Sequence, residues 1–545
     1  MKKISTLSNQ KLNSGWQGQN AVMALVLRHP SGPSRWSDPA TRRTLLIMLV
    51  LSFSAVATAG EPVEIGSRRE LFVDSHIIDQ ITGKADLRLH HQVPREVSIV
   101  HDAPWEGTSS GYHSVFKDGD LYRMYYRGLH LQVSEGKIST GKHKPYYCYA
   151  ESADGIHWKR PELGIVEFNG SKKNNIILEG IGVHNFSPFK DDNPNCAADA
   201  KYKGIGGLQH EGGLHAFKSA DGVHWSLLSE KPVITVGAFD SQNLAFFDKT
   251  IGKYRAYYRI FTGGTTTKKV WKPSGIRAIR TATSDDFIHW SNEADLTYED
   301  SPDDELYTNQ IKPYHRAPHI LIGIPTRYVE RGWSPSMKAL PELKNRELRS
   351  SAHQRYGTGI TEGLLMASRD GVKFKRWNEA FLQPGIGRDG TWQYGQHYAA
   401  WHVVETASAL PGAPNELSIY STEGYWHGNG GTLRRYTLRL DGFVSAYAPM
   451  KGGELLTKPI IFDGSKLEIN FATSAAGSIK VEIQNADGVP FTGNSFVDCP
   501  EHYGDNVAGI ITWKNGADVS SLIGKPVRLK FKLKDAHLYS FRFIK

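Results

Sequence analysis

An internal repeat constrains the fold of this chain more than any other feature. The segments AESADGIHW (150–158), FKSADGVHW (217–225) and ATSDDFIHW (282–290) match one another, and looser copies occupy 367–374 and 439–442. Each copy is marked by an aspartate, and these recur at broadly similar intervals as Asp154, Asp221, Asp286, Asp370 and Asp441. Such a period indicates one supersecondary unit that is used five times.

A second repeat stands in phase with the first. YRMYYR begins at Tyr122 and YRAYYR at Tyr254, and each lies at the same distance before its marker aspartate, Asp154 or Asp286. Each unit therefore holds four short strands, which we place in the first unit at 112–117, 121–127, 146–152 and near 165–168. Five such units predict an all-β fold with a five-bladed β-propeller over 64–446. Two loop insertions are expected in these units, around 261–273 and 331–356.

The repeated Ser-x-Asp-Gly segments suit hairpin turns. Aspartate hydrogen-bonds its own backbone there, glycine takes a positive φ, and the following tryptophan packs between sheets. We therefore predict a structural role for the five marker aspartates rather than a catalytic one.

The repeat is lost after Ala446. Short alternating strands such as KLEINFAT (466–473) follow, separated by glycine and asparagine turns. This pattern predicts a β-sandwich over 447–545, with an accessory or carbohydrate-contacting role.

The N-terminal segment has the pattern of a signal peptide. Arg42 and Arg43 precede about a dozen apolar residues, and Ala57-Thr58-Ala59 supplies a small-x-small cleavage site. We expect cleavage near Ala59 and a secreted or periplasmic mature protein without stable membrane insertion. The polar segment 1–40 indicates either an extended leader or a start assigned too early, and a twin-arginine leader stays open.

Composition excludes several other classes. The formal charge is +9, but basic residues are scattered among 56 acidic ones, which argues against a nucleic-acid partner. Cys148, Cys196 and Cys499 allow at most one disulfide. Histidines lack metal-ligand spacing, and no phosphate loop, dinucleotide fingerprint or G-x-S-x-G occurs, so we expect neither metal nor cofactor.

The leader, the S-x-DG-x-x-W turns, the segment FDSQN (239–243) and the C-terminal strands together resemble the five-bladed glycoside hydrolases of families 32 and 43. The resemblance covers about 64–545 and implies carboxylates at the inner strands of successive blades. The Trp-x-Asn-Asp-Pro-Asn-Gly box of invertases is missing, which argues against a fructosidase.

Polar residues recur where the first strand of each unit begins, and we interpret them as a carbohydrate pocket around a central funnel. The predicted substrate contacts at these positions are His113, Asn185, Asn243, Asn309, Gln310 and His397. Trp105 and Glu423, which lie near them in the units, are further predicted contacts.

Glycoside cleavage needs two carboxyl groups on either side of the bond. We predict catalytic roles for Asp240, Glu106 and Glu362. Asp102 is the alternative to Glu106, while Glu211 and Glu423 are alternatives to Glu362 as the acid.

Arg127, Arg259 and Arg327 end equivalent second strands. Guanidinium groups bind carboxylate and sulfate in two-pronged fashion, so these arginines favour an anionic glycan; inter-blade ion pairing is the alternative. The sequence thus predicts a secreted glycosidase acting on a polysaccharide or oligosaccharide. A non-catalytic propeller that binds a glycan or a protein is the alternative class, and within the enzymes a lyase or phosphorylase stays open.

Overall fold

The computed structural model describes residues 61–134, 136–428 and 430–545. Strand accounts for 49% and helix for 6%, so the all-β prediction is confirmed. The predicted leader and its cleavage near Ala59 lie outside the described residues. No helix within the described ranges is long and apolar enough to cross a membrane.

Three four-stranded antiparallel sheets follow one another along the chain, in step with the first three repeats. Sheet I consists of Gly111–Asp118, Leu121–Gly128, Tyr146–Ser152 and Ile176–Glu179. Sheet II consists of Ser187–Lys190, Tyr202–Gly206, His215–Ser219 and Ser226–Leu227. Sheet III consists of Leu244–Asp248, Lys253–Thr266, Trp271–Ser284 and Trp290–Asp295. The fourth strand of sheet I is thus Ile176–Glu179 and not the predicted 165–168.

Two more sheets match the last two repeats. Sheet IV consists of Thr297–Glu299, Glu305–Leu306, Lys312–Tyr314, Ala317–Gly323, Thr326–Glu330, Gly359–Ser368 and Lys373–Leu382. Sheet V consists of Val404–Thr406, Glu416–Glu423, Thr432–Arg439 and Val93–Val100. The strand Val93–Val100 comes from the N-terminal side of the chain and pairs antiparallel with Thr432–Arg439. Sheet V is therefore completed by a segment that precedes sheet I.

The remaining strands form a ten-stranded sheet that we call the large sheet. Its strands are Val63–Gly66, Glu70–Leu71, Ile78–Gly83, Asp86–Leu89, Val444–Ala448, Gly453–Thr457, Ile460–Phe462, Lys466–Asn485, Asp505–Ile510 and Val527–Ile544. Strands within residues 63–89 thus pair with the C-terminal strands. The predicted boundaries of 64–446 and 447–545 had placed these residues in the repeat region. A separate apolar core, with Phe531 and Phe541 at its centre, holds this part together.

The repeated turns have the predicted geometry in four copies. Asp154 Oδ1 accepts hydrogen bonds of 2.8 Å from the backbone N–H groups of Ile156 and His157, and Asp221, Asp286 and Asp370 repeat the pattern. Gly155 has a φ of 72°, while Phe287 adopts a φ of 69° at the same place in the third copy. These four aspartates are structural, as predicted.

Asp441 is the exception among the marker aspartates. Its carboxylate is buried and accepts hydrogen bonds of 2.8 Å from Arg316, Tyr314 and Ser540, which belong to sheet IV and the large sheet. Burial would raise the pKa of Asp441, but Arg69 and Arg316 lower it to about 2. The fifth copy therefore joins two parts of the fold instead of closing a simple turn.

Tyrosines link neighbouring sheets through the same turns. Tyr125 of sheet I donates to the carbonyl of Gly222 at 3.0 Å, and Tyr257 of sheet III donates to that of Gly371 at 2.9 Å. Tyr420 of sheet V donates to the carbonyl of Gly155 in sheet I. The last sheet therefore contacts the first. Trp158 also packs edge-on against Tyr420, which fits the predicted inter-sheet role of the repeated tryptophan.

The starts of the first strands meet in a buried amide network. Gln242 donates to the carbonyl of His113 at 3.1 Å, and its own carbonyl accepts from Gln310 at 2.8 Å. Gln310 also donates to the carbonyl of Ala399 at 2.5 Å. Side chains that precede strands of sheets III and IV thus reach sheet I and the segment that leads into sheet V. They supply hydrogen-bond donors to buried carbonyl groups there.

Replacing Gln242 by leucine should destabilise the protein. The change removes two hydrogen bonds from Gln242 to the Tyr112 and His113 carbonyls and one from Gln310 to Gln242. At about 1 kcal/mol for each lost bond, we expect the free energy of unfolding to fall by about 3 kcal/mol in urea titration. Gln132→Leu, at an exposed position, is the control and should change it by less than about 0.5 kcal/mol. Equal effects of the two variants would contradict the central role of the network.

Candidate active site

Asp240 precedes the first strand of sheet III, and its side chain is 56% exposed. His184, which precedes the first strand of sheet II, contacts Asp240 Oδ1 through Nε2 at 2.9 Å. The same nitrogen lies 3.1 Å from Nη1 of Arg127. The tautomer that donates from Nε2 to Asp240 leaves Arg127 to donate to the His184 carbonyl at 3.3 Å. With Arg259, these residues form what we call the Asp240 cluster.

The surroundings keep Asp240 ionised. Desolvation by the surrounding protein would raise the pKa of Asp240. The hydrogen bond from His184, the charge that His184 carries when it is protonated in acid, and the positive charges of Arg259 and Arg127 lower that pKa well below its usual range. The pKa of His184 is lowered by burial and by Arg127, an effect that Asp240 and Glu211 partly offset. The cluster therefore presents a carboxylate beside a neutral imidazole at neutral pH.

The two arginines of the cluster differ in how their donors are used. Arg127 donates from Nε and Nη2 to the Ser109 carbonyl, at 3.3 and 2.8 Å, and is held in place. Arg259 donates from Nε to the Ala238 carbonyl at 2.8 Å, and its guanidinium lies 4.8 Å from the ring centroid of Tyr307. No hydrogen bond from its terminal amino groups is found to other described residues, although the residue is only 4% exposed. Arg259 is therefore the arginine with donors left for a ligand.

Five buried tyrosines form the wall next to the cluster. They come from sheets I, IV and V and the segment between the last two, and they are Tyr112, Tyr307, Tyr394, Tyr398 and Tyr425. Tyr398 stacks on Tyr307 with ring centroids 5.2 Å apart and on Tyr112 at 6.4 Å. Burial raises the pKa of Tyr112 and Tyr307, and the nearby charge of Asp240 raises both further. We call this set the tyrosine wall; the hydroxyl groups of Tyr112 and Tyr307 stay protonated.

A helical insertion packs on the tyrosine wall. It lies between two strands of sheet IV and contains α1 (Pro335–Lys338), α2 (Leu343–Ala352) and α3 (Gln354–Thr358). Arg349 of α2 is buried and donates to the carbonyls of Tyr394 and Tyr425 at 3.1 and 3.2 Å. Arg355 of α3 lies 5.8 Å from the ring centroid of Tyr394. The insertion predicted at 331–356 thus forms a cap beside the cluster, while that at 261–273 is a long hairpin of sheet III.

Two of the three predicted catalytic carboxylates are engaged by other residues. The Glu106 side chain is fully buried, accepts from Tyr126 at 2.5 Å and pairs with Arg160 at 3.2 Å, and burial raises its pKa. Glu362 accepts from Arg327 at 2.9 and 2.5 Å. Neither makes a hydrogen bond or ion pair with the Asp240 cluster. Asp102, the alternative to Glu106, is 64% exposed and pairs with Arg160 at 2.9 Å.

Glu211, the alternative acid, lies closer to the cluster. It is near enough to His184 for its charge to raise the pKa of that imidazole. Its carboxylate accepts from the backbone N–H groups of Leu208 at 2.8 Å and of Gly182 at 3.3 Å. Its contact with Gly182, two residues before His184, places the Glu211 carboxylate next to the Asp240 cluster.

Most of the predicted substrate contacts are engaged inside the protein. Asn185 and Asn243 both donate to the carbonyls of Phe239 and Ser241 and are fully buried. His113 contacts His101 at 3.1 Å, and Trp105 donates to Asn175 at 2.7 Å. The polar residues that start the first strands thus hold the backbone together.

The remaining predicted contacts follow the same pattern. Asn309 and Gln310 bond to backbone carbonyls, and His397 lies 2.8 Å from the Gln383 carbonyl. Glu423 accepts from Arg388 and Arg434 at 2.5 and 3.0 Å, which lower its pKa although burial opposes them. Arg327 is paired with Glu362. Of the three predicted arginines, Arg127 and Arg259 alone join the Asp240 cluster.

His184 and the tyrosine wall were missed as site residues. His184 lies in a loop before the first strand of sheet II, and four of the five tyrosines lie in loops outside the repeats. A signal existed in GYH (111–113) and in the tyrosine-rich segment 392–398, since aromatic rings and imidazole groups near a carboxylate favour sugar binding. No group of three or more possible metal ligands occurs in the described part of the chain.

Comparisons with known proteins give distant matches. No family model matches the chain. Two uncharacterized proteins of Mycobacterium tuberculosis are 27% identical over 144 residues, and this match spans 25% of the chain and 41% of those proteins.

Solved structures that resemble the chain include glycoside hydrolases of families 43 and 32, in line with the sequence resemblance. A thermostable family-43 glycoside hydrolase matches at a TM-score of 0.37 and 13% identity, over 63% of this chain and 94% of its own. The family-32 β-fructofuranosidase of Bombyx mori matches at a TM-score of 0.35 and 10% identity, over 84% of this chain and 94% of its own. An N-acetylgalactosamine deacetylase from F. plautii matches at a TM-score of 0.37 and 13% identity, over 67% of this chain and 96% of its own. The chemistry of the present site rests on its own residues.

The pairing of His184 with Asp240 is open to a direct test. His184→Leu removes the N–H donor and a charge partner, so the pKa of Asp240 should rise toward the usual range for aspartate. The titration of Asp240 can be followed by NMR of protein labelled with ¹³C at aspartate carboxyl carbons. His157→Leu removes the matched partner of Asp154 at an exposed turn and should leave Asp240 unchanged. A titration of Asp240 that is the same in both variants would refute the pairing.

Proposed function

We propose that the protein is a secreted glycan-acting hydrolase whose five repeat sheets are the blades of a propeller, with the Asp240 cluster at the mouth of its funnel and the C-terminal strands in an accessory sandwich. The observation that carries the proposal is an accessible, ionised Asp240 beside a buried Arg259 with free donors. Contacts between sheets V and I support the ring of blades. The leader supports secretion.

Asp240 suits the role of nucleophile or general base. Its lowered pKa keeps it charged, and a carboxylate must be ionised to attack an anomeric carbon or to activate water. His184 orients the carboxylate, while Arg127 is fixed by Ser109 and holds His184 in turn. Glu211 is the second carboxyl in our proposal and supplies the proton to the leaving oxygen once substrate displaces its backbone contacts.

Arg259 and the tyrosine wall define the substrate. A guanidinium with unused terminal donors favours a planar anion, so we propose a uronic or otherwise acidic sugar next to the scissile bond. The tyrosine wall gives this side of the site an aromatic border, and aromatic rings favour contact with the C–H face of a pyranose where the sugar meets them. The helical cap closes this side and limits water access.

An eliminating lyase is the second candidate, because a neutral imidazole beside arginine suits proton removal next to a sugar carboxylate. Mass analysis of products separates the cases: a hydrolase adds water, a lyase yields unsaturated sugars, and a phosphorylase yields sugar phosphates. The purified mature protein is screened on neutral, uronic and sulfated glycans. Binding without any product would leave the non-catalytic propeller as the function.

The proposed carboxylates make distinct predictions. Asp240→Asn and Glu211→Gln should each lower kcat/KM on an acidic glycan by about 100-fold or more, the usual range for loss of a nucleophile, base or acid. Glu362→Gln is the matched control, because Glu362 is paired with Arg327 away from the cluster, and its kcat/KM should change by less than tenfold. Activity that depends on Glu362 but not on Glu211 would overturn the assignment.

The role of Arg259 is tested by substrate comparison. Arg259→Met keeps much of the length of the side chain but removes the charged donors, so we expect kcat/KM to fall about 10- to 100-fold on the uronic substrate. On the neutral counterpart of this substrate, which has a hydroxymethyl group in place of the carboxylate, kcat/KM should fall far less. Equal losses on the two substrates would show that Arg259 does not bind the anion.

A further inference from the structure

A second cavity adjoins the end of the first strand of sheet I, and no residue of the Asp240 cluster lines it. Phe116 follows Tyr112 by four positions on one strand, which corresponds to about 13 Å in extended chain. The cavity measures about 400 Å³, within the range of small-molecule sites, and shares no residue with the Asp240 cluster or the tyrosine wall. Its lining comes from sheets I, II, IV and V and includes Phe116, Lys117, Lys190, Lys312, His402 and Val403.

Lys312 is the most unusual group of this cavity. Its ammonium lies 4.8 Å from the ring centroid of Phe246, 5.4 Å from that of Trp401 and 5.6 Å from that of Phe189. Within the described part of the chain it makes neither a hydrogen bond nor an ion pair. Burial lowers its pKa to about 8, although Asp192 and Asp191 oppose this. An ammonium held against three rings without an acceptor is poorly solvated and lacks a counter-ion.

Other buried polar atoms near Lys312 also have no hydrogen-bond partner among the described residues. His402 Nε2 is buried without a hydrogen-bond partner among the described residues, and so is Oε1 of Gln310 in an adjoining cavity of about 90 Å³ that also contacts Lys312. The acids on the rim are already paired: Asp192 with Lys249 at 3.2 Å, and Glu405 with His315 at 2.9 Å. The cavity thus keeps an excess of positive charge.

We propose that this cavity is a second ligand site, which takes a small organic carboxylate of the size of one sugar acid. The carboxylate pairs with Lys312, His402 bonds to a hydroxyl group, and Phe116 and Val403 pack against the carbon skeleton. This inference does not depend on the chemistry at Asp240, since the two sites have no residue in common.

Protection of Lys312 from chemical modification tests the proposal, with D-glucuronate as the probe. Brief reductive methylation at pH 8 with formaldehyde and an amine borane is followed by peptide mass mapping of the full mature chain. We expect D-glucuronate to slow methylation of Lys312 at least tenfold, and D-glucose at the same concentration to leave it unchanged. Methylation that is unaffected by D-glucuronate, or slowed equally by D-glucose, would overturn the proposal.

Variants separate this site from the mouth of the funnel. Arg259→Met should retain the protection of Lys312, because Arg259 lies in the Asp240 cluster. Calorimetric titration of D-glucuronate should show at least tenfold weaker binding at this cavity in Lys312→Met, whereas Lys525→Met, at an exposed lysine outside the cavity lining, should bind normally. Thermal unfolding verifies that each variant is folded. Unchanged affinity in a folded Lys312→Met, or loss of Lys312 protection in Arg259→Met, would refute a separate site.

Discussion

The amide network of Gln242 and Gln310 is the constraint on which the rest of the structure depends. Gln242 precedes the first strand of sheet III and Gln310 precedes the strand Lys312–Tyr314 of sheet IV, and both side chains are buried. Gln242 bridges sheet III to sheet I, and Gln310 bridges sheet IV to sheet III and to Ala399. Buried carbonyls without donors would cost free energy, so polar side chains are required at this place. The rigid centre in turn fixes Asp240, which stands just before Gln242 in the sequence.

This network explains why the polar strand starts were interpreted as ligand contacts. Asn185 and Asn243 are polar residues just before apolar strands, and both hydrogen-bond to backbone carbonyls inside the protein. A polar residue at such a position looks the same in the sequence whether it binds a sugar or an internal carbonyl. The repeats, by contrast, were predictable, since the Ser-x-Asp-Gly turn depends on bonds between near neighbours in the chain. Asp240 was found because it adjoins such a strand.

Other parts of the fold depend on contacts between distant segments. The strand Val93–Val100 completes sheet V from the opposite end of the repeat region, and Asp441 joins sheet IV to the large sheet. Glu106 and Glu362 are carboxylates near strand ends, as the sequence shows, but their partners Arg160 and Arg327 decide that they are engaged in ion pairs. A sequence pattern gives the position of a carboxylate along its strand, and the arginine that neutralises it comes from elsewhere in the fold.

The two ends of the first strands carry different chemistry. One end presents an ionised carboxylate next to unused guanidinium donors, and the other presents an ammonium among aromatic rings. A crystal structure of Asp240→Asn with a uronic trisaccharide tests the role of the Asp240 cluster most directly. We expect a sugar carboxylate within hydrogen-bond distance of Arg259 and a glycosidic oxygen facing residue 240. A trisaccharide bound without contact to Arg259, or outside the tyrosine wall, would contradict it.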